Sequence, residues 1–163
     1  MCLYVKRVSK QLGAKPNIAQ HDIPCYKIVI LKELLSVKHY WPVFFGKEIP
    51  LEVINGEKDY YADKQEIPYN KLLIIFNYEE DEVHGGYIHT YGAAEGADVS
   101  YHCLDKEEDY RIFKCIIPKG TEYFEGEYAA NIAYASRKIR FVKEIDLKEL
   151  EAELNKEIEN AKP

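Results

Sequence analysis

Three short apolar runs, at residues 25–31, 72–76 and 110–117, constrain this chain most. Each is shorter than a typical buried helix and rich in β-branched and aromatic side chains, so each reads as a strand. Pro24 opens the first run at a position where a missing N–H does no harm, and Pro118-Lys119-Gly120 closes the third with a turn. Near-continuous apolarity predicts that the three runs lie side by side as the interior of a sheet covered on both faces. At 163 residues the chain has room for one ordinary domain with a real core.

The remaining pattern fills in around these runs. Tyr40 to Phe45 reads as a short aromatic strand or packed loop, and Asn55-Gly56 after Leu51 to Ile54 is a hairpin signal. Gly85-Gly86 permits a tight turn before a strand of the four residues 87–90, and the small residues of 93–101 predict a short helix. Thr121 to Phe124 resumes as a short strand, followed by a loop through Gly126. Lys138 to Lys143 alternates, with Ile139 and Phe141 inward, as an edge or half-exposed strand does. Asp146 then offers an N-cap to a helix whose Leu147, Leu150, Leu154 and Ile158 form a narrow apolar stripe.

The expected fold is therefore α+β, a single domain with a mainly antiparallel twisted sheet or partly open barrel and a C-terminal amphipathic helix. Residues 1–21 are expected as an N-terminal arm, 22–145 as the core domain and 146–163 as a helix packed on that core. The same stripe could pair with a second copy, which predicts a monomer or a weak homodimer.

Charge narrows the function classes. The 28 acidic residues against 22 basic ones leave a net charge of −6, the wrong sign for a general nucleic-acid binder, which neutralises phosphates with surplus Lys and Arg. The longest uncharged apolar stretches fall far short of the roughly 20 residues of a membrane helix, so no membrane association is expected. Charge arrives at Lys6, which predicts no secretory signal, and Cys2, Cys25, Cys103 and Cys115 form no CxxC pair. They read as free thiols in a reducing cytoplasm, Cys25 and Cys115 as small hydrophobes and Cys103, beside His102, as the one that could react.

No spacing here matches a phosphate loop, a paired-cysteine metal site or a nucleophile elbow. His84 and His89, five apart across two glycines, suit neither one helix face nor one strand face, so no metal and no cofactor is expected. His89 is the candidate general base, with Tyr91 beside it, because its ordinary pKa lies near neutrality. Tyrosine is abundant, 14 in all, and Tyr40, Trp41, Phe44, Tyr60, Tyr61 and Tyr69 fall in the irregular middle segment as a candidate binding patch. Arg137, Lys138, Arg140 and Lys143 make a local basic strip. Visible aromatic and charged surfaces without a catalytic set predict a non-enzymatic binding or interaction module for a protein or small-molecule partner.

The blocks Asp22 to Lys27, His84 to Tyr91 and Lys114 to Gly126 resemble small uncharacterised proteins of bacteria and their phages. That resemblance implies a cytoplasmic bacterial or prophage-type protein and carries no catalytic residue with it. The turn Ile117-Pro118-Lys119-Gly120-Thr121 also resembles one in the catalytic domain of ADP-ribosyltransferases. Lys27 stands where that family has an arginine, His89-Thr90-Tyr91 replaces its serine element, and Ala135 to Ile139 is basic where its catalytic Glu motif would stand. The likeness implies, as the alternative function, a nucleotide-directed enzyme with a degenerate site.

Overall fold

A computed structural model describes residues 3–6, 16–43, 47–62, 73–75, 80–83, 87–128 and 131–162. Their elements follow the order β1 (Leu3–Lys6), β2 (Asn17–Ile18), β3 (Ile23–Leu34), β4 (Val37–Pro42), α1 (Leu51–Ile54), β5 (Tyr60–Tyr61), β6 (Leu73–Ile75), β7 (Glu80–Val83) and β8 (Ile88–Tyr91), then α2 (Ala94–Cys103), β9 (Asp109–Ile117), β10 (Glu122–Tyr128), β11 (Asn131–Ser136), β12 (Lys138–Ile145) and α3 (Leu147–Ala161). Among the described residues every strand pairing is antiparallel, and the strands run β5-β12-β9-β3-β8-β11-β10-β1-β7-β6 as an open path, with β4 added to β3 and β2 to β10. The fold is thus α+β with a mainly antiparallel, open sheet. No helix among the described residues is long and apolar enough to cross a membrane.

The long strand β3 explains why its sequence is apolar at nearly every position. Strand side chains alternate, and both of its faces are covered. Cys25, Val29 and Leu31 point to one side, where they pack with Phe113, Cys115, Ile139 and Phe141 beneath Ile49, Val53, Ile54 and Ala62 of the α1 region. Tyr26 and Ile28 point to the other, where Ile112 and Ile145 meet Ala94 and Ala97 of α2 and Leu150 of α3. We call these the loop side and the helix side. Each fully buried aliphatic or aromatic side chain contributes about 1.5–3 kcal/mol.

The helices are fixed to the sheet by polar contacts as well. Asp146 accepts from the Glu149 backbone N–H at 2.8 Å while the Glu149 carboxylate reaches back to the Asp146 N–H, a reciprocal cap. Lys114 of β9 donates to Glu153 Oε1 at 2.8 Å. Ala93 offers α2 no capping side chain, so Glu157 of α3 supplies one, accepting from the Ala94 and Glu95 N–H groups at 2.6 and 3.3 Å. Only the middle of the α3 stripe is used: Leu150 is buried and Leu154 packs beside it, whereas Leu147 and Ile158 stay exposed. Gly96 lets α2 approach β11, since a Cβ there would stand 3.2 Å from Asn131 Cβ.

Three expectations change. The runs at 25–31 and 110–117 are neighbours, with Cys25 opposite Cys115, but β6 of the 72–76 run lies at the far end of the strand order, because it pairs locally with β7. Asn55-Gly56 is not a hairpin: Leu51–Ile54 is one helical turn, Asn55 its C-cap, and Gly56 takes a left-handed φ of 79° against the Phe141 carbonyl, where a Cβ would sit at 2.7 Å. The loop through Gly126 is instead strand, since β10 continues to Tyr128. Asn131–Ser136, rich in small residues, becomes β11 because β10 and β8 flank it on both edges.

Candidate functional site

His89 and Tyr91 sit on β8 and face the helix side, where Tyr91 packs into the cluster beneath α2 and α3. Tyr87, two residues before His89, shares that face. Its hydroxyl donates to Glu122 Oε1 at 3.4 Å, its ring meets Phe124 edge-on at 5.4 Å, and the Arg137 guanidinium lies 4.7 Å above it. Burial, opposed by Arg137 and aided by Glu122, pushes the Tyr87 hydroxyl up to about 12, so it remains a donor at neutral pH.

The described members of the candidate aromatic patch do not gather on one surface. Tyr40 is 7% exposed and meets Phe113 edge-on inside the loop-side core, and Tyr60 packs against Phe141. Trp41 is half-buried, with its indole N–H buried and unpartnered, and Tyr61 is exposed beneath the Lys138 ammonium. Phe44 and Tyr69, like His84, lie outside the described residues. The basic strip is neutralised side chain by side chain: Arg137 pairs with Glu122, Lys138 and Arg140 with Asp59, and Lys143 with Glu149. Cys103 is exposed at the end of α2, beside His102, which bonds back to the Asp98 carbonyl. Among the described residues no three His, Cys, Asp or Glu side chains converge as metal ligands would.

Two features escaped the sequence. The first is the setting of Lys27, which the sequence shows as part of an apolar strand and, by resemblance, at the place of an arginine. β8 meets β3 at the single pair Tyr26–Tyr91, because from Val29 onward the same edge of β3 is occupied by β4. Where the ladder parts, the Lys27 ammonium takes over and donates to the His89 carbonyl at 3.1 Å. Burial lowers its pKa, the neighbouring Cys115 and Cys25 opposing, and among the described residues no carboxylate pairs with it. The register places Thr90 across from Lys27, Tyr134 across from Thr90, and Ser136 across from Ile88, all on the loop side. Thr90 and Ser136 are 0% exposed; the Thr90 hydroxyl lies against the Cys25 thiol, whose pKa it lowers, and the Ser136 hydroxyl meets no partner in hydrogen-bonding geometry among the described residues. A buried hydroxyl left so costs about 1–3 kcal/mol. The legible signal was a lone lysine inside a run buried on both faces.

The second is the tip of the β3–β4 hairpin. β9 accompanies β3 only as far as Leu31, opposite Asp109; beyond it, among the described residues, β3 has β4 alone, with Glu33 opposite Lys38 and Lys32 opposite His39. The turn residues Leu35 and Ser36 adopt φ of 52° and 65°, the left-handed region that Asn and Gly fill readily and Leu does not. Leu34, Leu35 and Val37 are 59%, 99% and 48% exposed. A strained turn thus carries three large apolar side chains into solvent. No family model, no curated protein and no solved structure matches the chain.

Proposed function

We propose that this protein is a non-enzymatic interaction module that docks the apolar tip of its β3–β4 hairpin into an apolar pocket of a protein partner. The carrying observation is the tip itself: Leu34, Leu35 and Val37 displayed together on an arm the sheet does not cover. Exposed contiguous apolar side chains rimmed by polar ones mark interaction sites, and local backbone strain persists where function uses it. Charge favours a protein partner over a lipid surface or nucleic acid, since Lys32 and Lys38 are offset by Glu33 on the arm and the whole chain carries −6. The free thiols of Cys25, Cys103 and Cys115 suit a reducing compartment.

The test is site-specific cross-linking in the native cell. A photo-activatable residue in place of Leu35 is expected to give a discrete protein adduct, one in place of exposed Lys119 none, and Leu34→Ser should remove the adduct with the melting temperature unchanged. No adduct from either position, or the same adducts from both, refutes the reading.

A further inference from the structure

We propose that the sheet is hinged at the seam between β3 and β8, so that two leaves open and close about it, and that the Glu157 carboxylate latches them shut. One leaf is β3 with β4, β9, β12 and β5. Helix α3 rides on it, since Leu150 is buried with Ile112 and Ile145 and Lys114 of β9 holds Glu153. The other leaf is β8 with β11, β10, β1, β7 and β6. Helix α2 rides on that one, following β8 directly and reaching β11 at Gly96. Within the leaves the ladders are long: β3 runs with β9 from Ile23 to Leu31, and β10 with β11 from Tyr123 to Tyr128. Between the leaves the ladder is the pair Tyr26–Tyr91.

Apolar packing adds little across that line. The loop-side core belongs chiefly to the β3 leaf and the α1 region, and β8 contributes Ile88 to it. On the helix side α2 meets Tyr26, Ile28 and Leu150 through Ala94 and Ala97, whose methyl groups bury small areas. Units joined through small interfaces move relative to one another by default. Among the described residues the chain crosses between leaves at 19–22, at 118–121 and at Arg137. These crossings lie together, because the Ala19 N–H donates to the Thr121 carbonyl at 2.9 Å and the Arg137 N–H to the Glu122 carbonyl at 3.0 Å. They form the pivot. The remaining crossing, from α2 to β9, is a loop whose residues 105–108 are exposed.

The latch stands at the other end of β8. That strand starts at the pivot, with Ile88 opposite Ser136, and ends at Tyr91, from which the chain enters α2. There Glu157 of α3 accepts from the Ala94 and Glu95 N–H groups at 2.6 and 3.3 Å, tying the helix of one leaf to the helix of the other. Ala93 gives α2 no cap of its own, so this carboxylate serves both the helix and the closure. On the opposite face, nearer the pivot, the Lys27 ammonium donates to the His89 carbonyl across the same seam at 3.1 Å. The hinge uses none of the hairpin tip residues, so it stands or falls apart from the docking reading.

The experiment measures distances between spin labels by pulsed electron paramagnetic resonance in the full chain carrying Cys2→Ser and Cys103→Ser. Labelled cysteines replace exposed residues in three pairs. Val142 on β12 with Val99 on α2 spans the seam, Val142 with Leu51 stays in the β3 leaf, and Val99 with Ile132 stays in the β8 leaf. Glu157→Ala is expected to raise the weight of a longer Val142–Val99 distance about tenfold, the worth of one helix cap, and to leave the two other distances unchanged. Glu157→Gln, which keeps an acceptor and loses the charge, should produce part of that rise. A Val142–Val99 distribution identical in wild type and Glu157→Ala, or one that broadens no more than the two pairs within the leaves, overturns the hinge.

Discussion

At the scale of single residues, the interior of this sheet is polar where its sequence is most apolar. Lys27 has a lowered pKa in the fold because burial penalises its charge. In the folded state it releases its proton at lower pH than in the unfolded chain, so its burial penalty is in force at neutral pH and fades as pH rises toward its unfolded value. Stability measured by urea unfolding should accordingly gain with pH, between neutrality and about 10.4, in the wild type relative to Lys27→Met, by at most about 1.4 kcal/mol per pH unit for one proton. The buried thiols and the tyrosines raised by burial act the other way above about 8.5, which is why the difference between the two proteins is the quantity to follow. A difference flat in pH would contradict the buried ammonium. Among Cys25, Cys103 and Cys115, iodoacetamide should label Cys103 in the native protein and the other two only on denaturation, read by peptide mapping.

At the scale of elements, the β3–β4 turn stores strain that can be removed. Replacing Leu35 with Asn and Ser36 with Gly gives the dipeptide this turn geometry prefers and should stabilise the fold by about 1–2 kcal/mol, a melting temperature several degrees higher, while a photo-activatable residue placed at Val37 should cross-link the partner in the wild-type background and not in this one. Unchanged or lower stability would mean that the turn is not strained. What the sequence revealed about such elements depended on how local the cause was. Asp146 with Glu149, Pro118 with Gly120, and the alternation of Ile139 and Phe141 are written within a few residues, and β9, β12 and α3 form where those signals stand. β11 has no such signal. Its alanines are buried because strands from both sides close over them, a fact of pairing that no short window contains. Asn55-Gly56 misled because a left-handed glycine ends a helical turn as readily as it turns a hairpin.

At the scale of the molecule, one strand does two jobs. The first half of β3 is covered on both faces, paired along one edge with β9 and on the other with β8 at Tyr26; its second half leaves the sheet with β4 and ends in exposed leucines. The proposed docking tip belongs to the second half, and the Lys27 contact to the His89 carbonyl to the first. Neither could be read from the chain alone: Lys27 is isolated because β8 parts from β3 after one pair, and Leu35 is exposed because β9 stops at Asp109, both consequences of strand lengths set far apart in sequence. Of the two residues singled out for their chemistry, His89 accepts through its carbonyl from Lys27 and Tyr91 packs beneath α2 and α3. The division of β3 is tested most directly by amide hydrogen exchange resolved along the strand. Amides of residues 25–31 and 111–117 should be among the slowest in the protein and those of 33–38 among the fastest; residues 25–31 exchanging as fast as 33–38 would contradict the account.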